Sequence, residues 1–186
     1  MALDSPPEFD EAFAERLDLL LRWRRDVRHF RTDALPEGAL EALVARAALA
    51  PSVGNSQPWR FVRVAEPARR AAVKADFERC NAIALSGQDG ERAKSYSALK
   101  LAGLDRAPEH LAVFCDDGTL SGHGLGRATM PETLRYSAVG AVSALWLAAR
   151  ARGIGIGWVS ILEPANVAAI LEVPPAWSLV AYLCVD

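Results

Sequence analysis

Positions 22–31 read Arg-Trp-Arg-Arg-Asp-Val-Arg-His-Phe-Arg. Arg24, Arg25 and Arg28 concentrate positive charge in this run. Guanidinium forks match phosphate oxygens two at a time, so such a cluster suits a phosphate-bearing ligand. The alternative is a solvated basic face following a helix. Trp23, Val27 and Phe30 weigh against it, because apolar neighbours would hold the arginines against the body of the protein. A second stretch, Pro51-Ser52-Val53-Gly54-Asn55-Ser56-Gln57-Pro58-Trp59, puts hydroxyls, amides and open backbone donors in one short loop. Such groups read the polar edge of a planar heterocycle or hold a sugar or phosphate, or else simply cap a turn between a helix and a strand. A third, Gly153-Ile154-Gly155-Ile156-Gly157-Trp158-Val159-Ser160, allows close backbone approach to a ligand or another element.

Other chemistries find little support. The glycines of 153–157 end a helix and enter a strand, the reverse of a dinucleotide-binding turn. Gly122-His123-Gly124-Leu125-Gly126 has the wrong spacing for a phosphate loop and reads as a lid or connector. His29, His110 and His123 are scattered without an H-E-x-x-H, so no metal site is expected. No G-x-S-x-G occurs. Asp116-Asp117 reads as a turn at a strand end rather than a catalytic dyad. Cys80, Cys115 and Cys184 form no C-x-x-C pair, which fits a reducing cytoplasm better than a zinc site or a disulfide framework. The net charge of −2 argues against a nucleic-acid partner. The acidic start carries no apolar signal segment, and no apolar run is long enough to span a membrane. A cytoplasmic protein is expected.

The elements that must position these residues follow from periodicity. The 186 residues suit one domain, 1–186. Phe9, Phe13, Leu17 and Leu21 predict an amphipathic helix ending near the basic run. Pro36 suits the first position of a second helix, which Leu40, Leu43, Val44 and Ala47 define and Pro51 closes. Residues 60–64, 110–116, 155–162 and 177–185 read as strands, and 67–85, 90–103 and 163–173 as helices. The segment 132–150 is apolar on nearly all faces, as a central buried helix would be, and Gly153 is its stop. Strands interspersed with helices, without βαβ alternation, predict an α+β fold with helices packed on one sheet.

In this order, the three stretches resemble the FMN-dependent nitroreductase family. Arg24-Arg25-Asp26-Val27-Arg28 answers its R-R-S-x-R run. Ala50 to Trp59 answers its A-P-S-x-x-N-x-Q-P-W loop, and Gly153 to Trp158 its glycine-rich segment after a long apolar helix. The resemblance spans residues 16–185. Asp26 replaces the usual serine. With Met130 to Tyr136 and Gly157 to Leu162, it resembles the aerobic 5,6-dimethylbenzimidazole synthase subfamily (BluB-type).

The resemblance implies a nitroreductase-like fold with a mainly antiparallel central sheet, and a homodimer with two FMN sites at the subunit interface. Arg24, Arg25 and Arg28, with Asp26 and Val27 between them, would hold the phosphate and ribityl chain. Ser52 and Asn55 would line the flavin, with Gln57 supporting their loop. Gly157 and Ser160 would lie by the ring, and Lys100 and Leu101 near the flavin's polar edge. Many relatives add a basic residue from a C-terminal tail, a contact not expected in a sequence that ends at Asp186. The implied reaction uses reduced FMN, supplied by a separate flavin reductase, and dioxygen as co-substrate. It yields 5,6-dimethylbenzimidazole, the lower ligand of vitamin B12, and erythrose 4-phosphate. Cleaving the sugar–ring linkage requires proton removal from carbon. Asp26 is the candidate base, and the Ser160 hydroxyl the candidate partner of a flavin nitrogen. Asp26 as a salt-bridge partner of its arginines is the bland alternative. An NAD(P)H-dependent nitroreductase or quinone reductase, or a non-catalytic flavin-binding protein, are the competing functions. A lid over residues 117–136 would oppose the reductase, since a nicotinamide must stack on an open flavin face.

Overall fold

A computed structural model describes residues 6–86 and 102–186. Its frame is a sheet of four strands, β1 (Trp59–Arg63), β2 (Glu109–Asp116), β3 (Ile156–Val159) and β4 (Trp177–Val185), in the order β1-β2-β4-β3 with every pair antiparallel. The two central strands alternate between two cores. Leu111, Val113 and Cys115 of β2, with Ala181, Leu183 and Val185 of β4, face one apolar cluster. Ala112, Phe114, Tyr182 and Cys184 face the other. That period of two is what a sheet covered on both sides requires. A register shift lies between Val113 and Phe114.

Helices α2 (Ala39–Ala47) and α4 (Thr133–Arg150) cover the first face, while α3 (Pro67–Ser86) and α5 (Pro164–Ile170) cover the second. Helix α4 buries Leu134, Ala138, Ala141, Leu145 and Ala149 on one stripe, the spacing of a single helical face. The sequence suggests burial all round, yet Tyr136 is 61% and Val139 40% exposed. Helix α1 (Glu11–Trp23) is capped by Asp10, whose Oδ1 accepts from the Phe13 N–H at 2.8 Å. Its Phe13, Leu17 and Leu21 form the expected stripe, but no residue of α1 is buried in the chain.

Several boundaries move. Pro36 stands outside α2, its carbonyl accepting from Ala39 N, and Gly38 at φ 73° makes the N-cap. The strand expected over 155–162 stops at Val159, and the helix expected over 163–173 spans Pro164–Ile170. Of the helix expected at 90–103, residues 102–103 are helical, within a turn at 102–106; the rest, with Lys100 and Leu101, lies outside the described residues.

Candidate functional site

After α1 the chain leaves the helical conformation at Arg24 and runs beside β3. Val27 N donates to Ile156 O at 2.9 Å. Asp26 Oδ1 accepts from the main-chain N–H of Trp158 at 2.8 Å. Further on, Asp186 Oδ2 accepts from Arg31 N at 2.7 Å and its Oδ1 from Gly155 N at 3.0 Å. The basic segment is thus laced to β3 by main-chain contacts, and Gly157 is what permits it. A Cβ at position 157 would collide with Val27 O and stand 2.7 Å from Phe30 Cζ. Of the two uses read for these glycines, close approach to a ligand or to another element, Gly157 shows the second towards the segment bearing Val27 and Phe30.

Two clefts flank the segment. A narrow one is lined by Asp26, Arg28, Gly103, Gly157, Trp158 and Cys184. Gly103 is among the first described residues after the segment that holds Lys100 and Leu101, which lie outside the described residues. A wider one, about 230 Å³, is lined by Trp23, Arg25, Val27, Trp146, Arg150 and Ile156. The Arg24 guanidinium lies over the Trp146 ring, 5.1 Å from its centroid, and Trp146 packs on Trp158 with centroids 6.1 Å apart. Arg25 is exposed and turns back onto the carbonyls of Arg22 and Arg24. Neither Arg24 nor Arg25 is ion-paired with Asp26, so for these two arginines the salt-bridge alternative is not the observed geometry. Ser160 is exposed just beyond the end of β3. It lies two residues past Trp158, or about 7 Å along an extended chain. Cys184 is buried, which pushes its thiol up to about 12 and makes it an inert wall of the cleft.

The loop 51–59 lies elsewhere on α4. Val53 N donates to Ser137 Oγ at 3.0 Å, and Ser137 Oγ donates in turn to Thr133 O at 2.7 Å. Ser52 Oγ accepts from Gln57 N at 3.0 Å and so closes the loop, with its O–H left to donate. Asn55 and Gln57 are exposed at φ 52° and 46°, with Gln57 Nε2 at 3.5 Å from Asn55 Oδ1. The segment read as a lid packs onto this loop. A Cβ at Gly122 would stand 2.6 Å from Gly54 O, and one at Gly126 2.6 Å from Val53 Cγ2. Arg135 pairs with Asp117 at 3.1 Å across the base of the segment.

The candidates therefore form two groups. Asp26, Val27, Arg28 and Gly157 come together, with Arg24, Arg25 and Ser160 adjoining. Ser52, Asn55 and Gln57 attach near the other end of α4. Ser137 and Trp146, which mark the two groups, lie roughly 14 Å apart at the helical rise. Trp146, Ser137 and Asp186 escaped the sequence reading. A tryptophan in an apolar helix and a serine one turn into it look like core, whereas an aspartate closing an apolar strand is a signal that was there to find.

The donor set fits FMN: cations for a phosphate dianion, exposed amides for a heterocycle's polar edge, and a carboxylate beside them. At about 230 Å³, however, the wider cleft falls below the roughly 300–1,000 Å³ of a site enclosing such a ligand.

Residues 21–185 match the nitroreductase family, and known proteins agree. The chain is 60% identical over 179 residues to a 5,6-dimethylbenzimidazole synthase of Rhodospirillum rubrum, covering 96% of this chain and 85% of that one. It is 50% identical over 177 residues to the synthase of the same name from Rhodobacter capsulatus, covering 95% and 86%. Its fold resembles an iodotyrosine deiodinase crystallised with FMN and 3-iodo-L-tyrosine, at a TM-score of 0.76 and 25% identity, covering 91% of this chain and 88% of that one. The chain belongs to the nitroreductase family.

Proposed function

We propose that this chain carries out the oxygen-dependent fragmentation of reduced FMN to 5,6-dimethylbenzimidazole and erythrose 4-phosphate, as one domain over residues 1–186. The observation that carries this reading is Asp26. Where the wider family usually has serine, a carboxylate is fixed through one oxygen by the Trp158 N–H and faces a cleft beside Gly157. An ordinary reductase recycles its flavin and has no use for a base there. The 60% identity to a synthase points the same way.

Bound reduced flavin supplies the electrons that dioxygen takes up. The protein's residues divide the remaining work. Arg24, Arg25 and Arg28 hold the phosphate, with Arg24 kept in place by the Trp146 ring. Val27 serves through its main chain, zipping the segment to Ile156. Asp26 Oδ1 is bound to the Trp158 N–H, so Oδ2 would be the atom placed to take a proton from the carbon joining ring and ribityl chain. The Ser160 hydroxyl would meet a ring nitrogen of the bound flavin and would bias oxidation towards fragmentation. Asn55 and Gln57 read the ring's polar edge, and Ser52 keeps their loop closed. Lys100 and Leu101, which lie outside the described residues, would approach the ring's polar edge.

A homodimer brings the two groups together. The exposed stripe of α1 and the exposed Tyr136 and Val139 of α4 offer an apolar face, and a second copy covering it would enclose the ring that one chain leaves open. The working state is cytoplasmic, with a separate flavin reductase delivering reduced FMN. Among the described residues no helix is long and apolar enough to cross a membrane, and no cluster of side chains could hold a metal ion.

The deciding experiment incubates the protein with FMN, a flavin reductase, NADH and oxygen, and identifies products by mass spectrometry. 5,6-Dimethylbenzimidazole is expected. Its absence, with turnover of NADH on nitroaromatics, would establish a general reductase; flavin binding with neither activity would establish a carrier.

A further inference from the structure

Away from the Asp26 cleft, helix α3 buries a second carboxylate. The Asp76 side chain is 4% exposed. Its Oδ1 accepts from Asn166 Nδ2 and from Arg79 Nη2, both at 2.7 Å, and its Oδ2 accepts from the Glu163 N–H at 2.8 Å. Cys80 Sγ stands 3.9 Å from that second oxygen. Burial alone would raise the acid's pKa. The hydrogen bonds from Asn166, Arg79 and the Glu163 N–H overcome it and hold the carboxyl below its usual range. A buried, ionised and fully bonded carboxylate is an anchor rather than a proton carrier.

What it anchors is the far end of a short connection. Strand β3 ends at Val159, paired with Tyr182. Residues 160–162 then lead to Glu163, the N-cap of α5. The connection is held at one end by the sheet and at the other by Asp76. Asn166, in the first turn of α5, adds a second point of attachment, which stops the helix pivoting about Glu163. Ser160 is the first residue of this connection.

We infer that Asp76 is a positioning residue: through the Glu163 N–H and Asn166 it fixes the connection that begins at Ser160, directly after Val159 in the wall of the Asp26 cleft. The inference rests on the synthase reading above. Misplacement of about 1 Å at a reacting group can cost 10²-fold in rate. The arginines that grip the phosphate lie on another segment, so losing the anchor should spare flavin binding. It should instead separate oxidation of the flavin from its fragmentation.

Two variants test this. Asp76→Asn places an amide donor where two donors converge. Glu163→Pro deletes the N–H and leaves Asp76 intact; φ −86° and ψ 113° at this position, ahead of Pro164, suit a proline. Three quantities are measured: amide hydrogen exchange over 160–166 in flavin-free protein, FMN affinity by fluorescence quenching, and benzimidazole formed per flavin oxidised. Exchange over 160–166 should quicken about tenfold or more while β2 and β4 stay protected. FMN affinity should be little changed, and benzimidazole per flavin should fall about tenfold or more. Should Asp76→Asn fail to fold, Glu163→Pro carries the test. A folded variant with wild-type exchange over 160–166, or with the wild-type product ratio, would overturn the inference. A wild-type protein that makes no benzimidazole would overturn the synthase reading itself, and that failure shows before any variant is made.

Discussion

Asp26 and Trp158 are joined by a hydrogen bond of 2.8 Å in which the donor is the main chain of Trp158, not its indole. Replacing the indole therefore leaves the bond in place, whereas changing the carboxylate alters its chemistry without emptying the site. Asp26→Asn should keep FMN binding nearly intact and still permit flavin oxidation, with peroxide as by-product. Benzimidazole formation should fall about 10²-fold or more, the scale of losing a general base. Product at the wild-type rate in single-turnover assays would reduce Asp26 to a structural role.

Arg24 and the Trp146 ring should act together on the phosphate. Arg24→Ala is expected to weaken FMN by roughly 1.5–3 kcal/mol, the size of a charge-assisted hydrogen bond, and riboflavin hardly at all. Trp146→Leu should shift the same ratio in the same direction by about 0.5–1 kcal/mol, the value of a partly exposed cation–π contact. Titration calorimetry with both flavins decides: equal losses for the two would show that Arg24 does not touch the phosphate.

These two predictions rest on stretches that were legible in the sequence because each is local. Pro51 to Trp59 reads as the loop it is, and Gly153 as the helix stop before a strand, although that strand ends at Val159 rather than at 162. Helix α4 is legible as a helix, but its apolar residues read as burial on nearly all faces, whereas one stripe is buried and Tyr136 and Val139 are exposed. What was not legible depends on closure of the chain. The sequence does not show that Gln57 N folds back onto Ser52, nor that the element close to Gly157 is the segment bearing Val27. Asp76 and Asp186 gain their meaning from partners far along the chain. The stripe on α1 announces a helix face but not that no residue of that helix is buried in the chain.

That uncovered stripe predicts the state of assembly. Sedimentation should give about twice the 20.1 kDa chain mass, as expected for the large interfaces, above roughly 2,000 Å², of obligate dimers. Leu17→Glu with Tyr136→Glu should yield a folded monomer that has lost most FMN affinity. A wild-type monomer that binds FMN tightly would refute the shared site.

Stability should depend on pH through His110, which is buried against Tyr182 with Nδ1 2.9 Å from the phenol oxygen. Burial, aided by Arg70, lowers its pKa from 6.5 to about 4. The unfolded chain thus takes up the proton first as pH falls. Stability contributed by the neutral ring is complete above pH 6.5 and is lost progressively down to about pH 4, by about 3 kcal/mol at most. Urea titrations at several pH values should show this slope, and His110→Gln should flatten it. An unchanged slope in the variant would assign the dependence to other groups.

Helix α4 holds Val53 at Ser137 and Arg24 at Trp146, and so acts as a gauge between the loop 51–59 and the arginine segment. Its measure is angular as well as linear. One residue inserted between those positions would lengthen it by about 1.5 Å but turn one group about 100° around the axis relative to the other. The 137–146 interval is therefore closed to single insertions and deletions in a way that the surface loops are not. Drift in length among proteins built on this plan should collect in segments such as 117–132, where no rotational phase has to be kept.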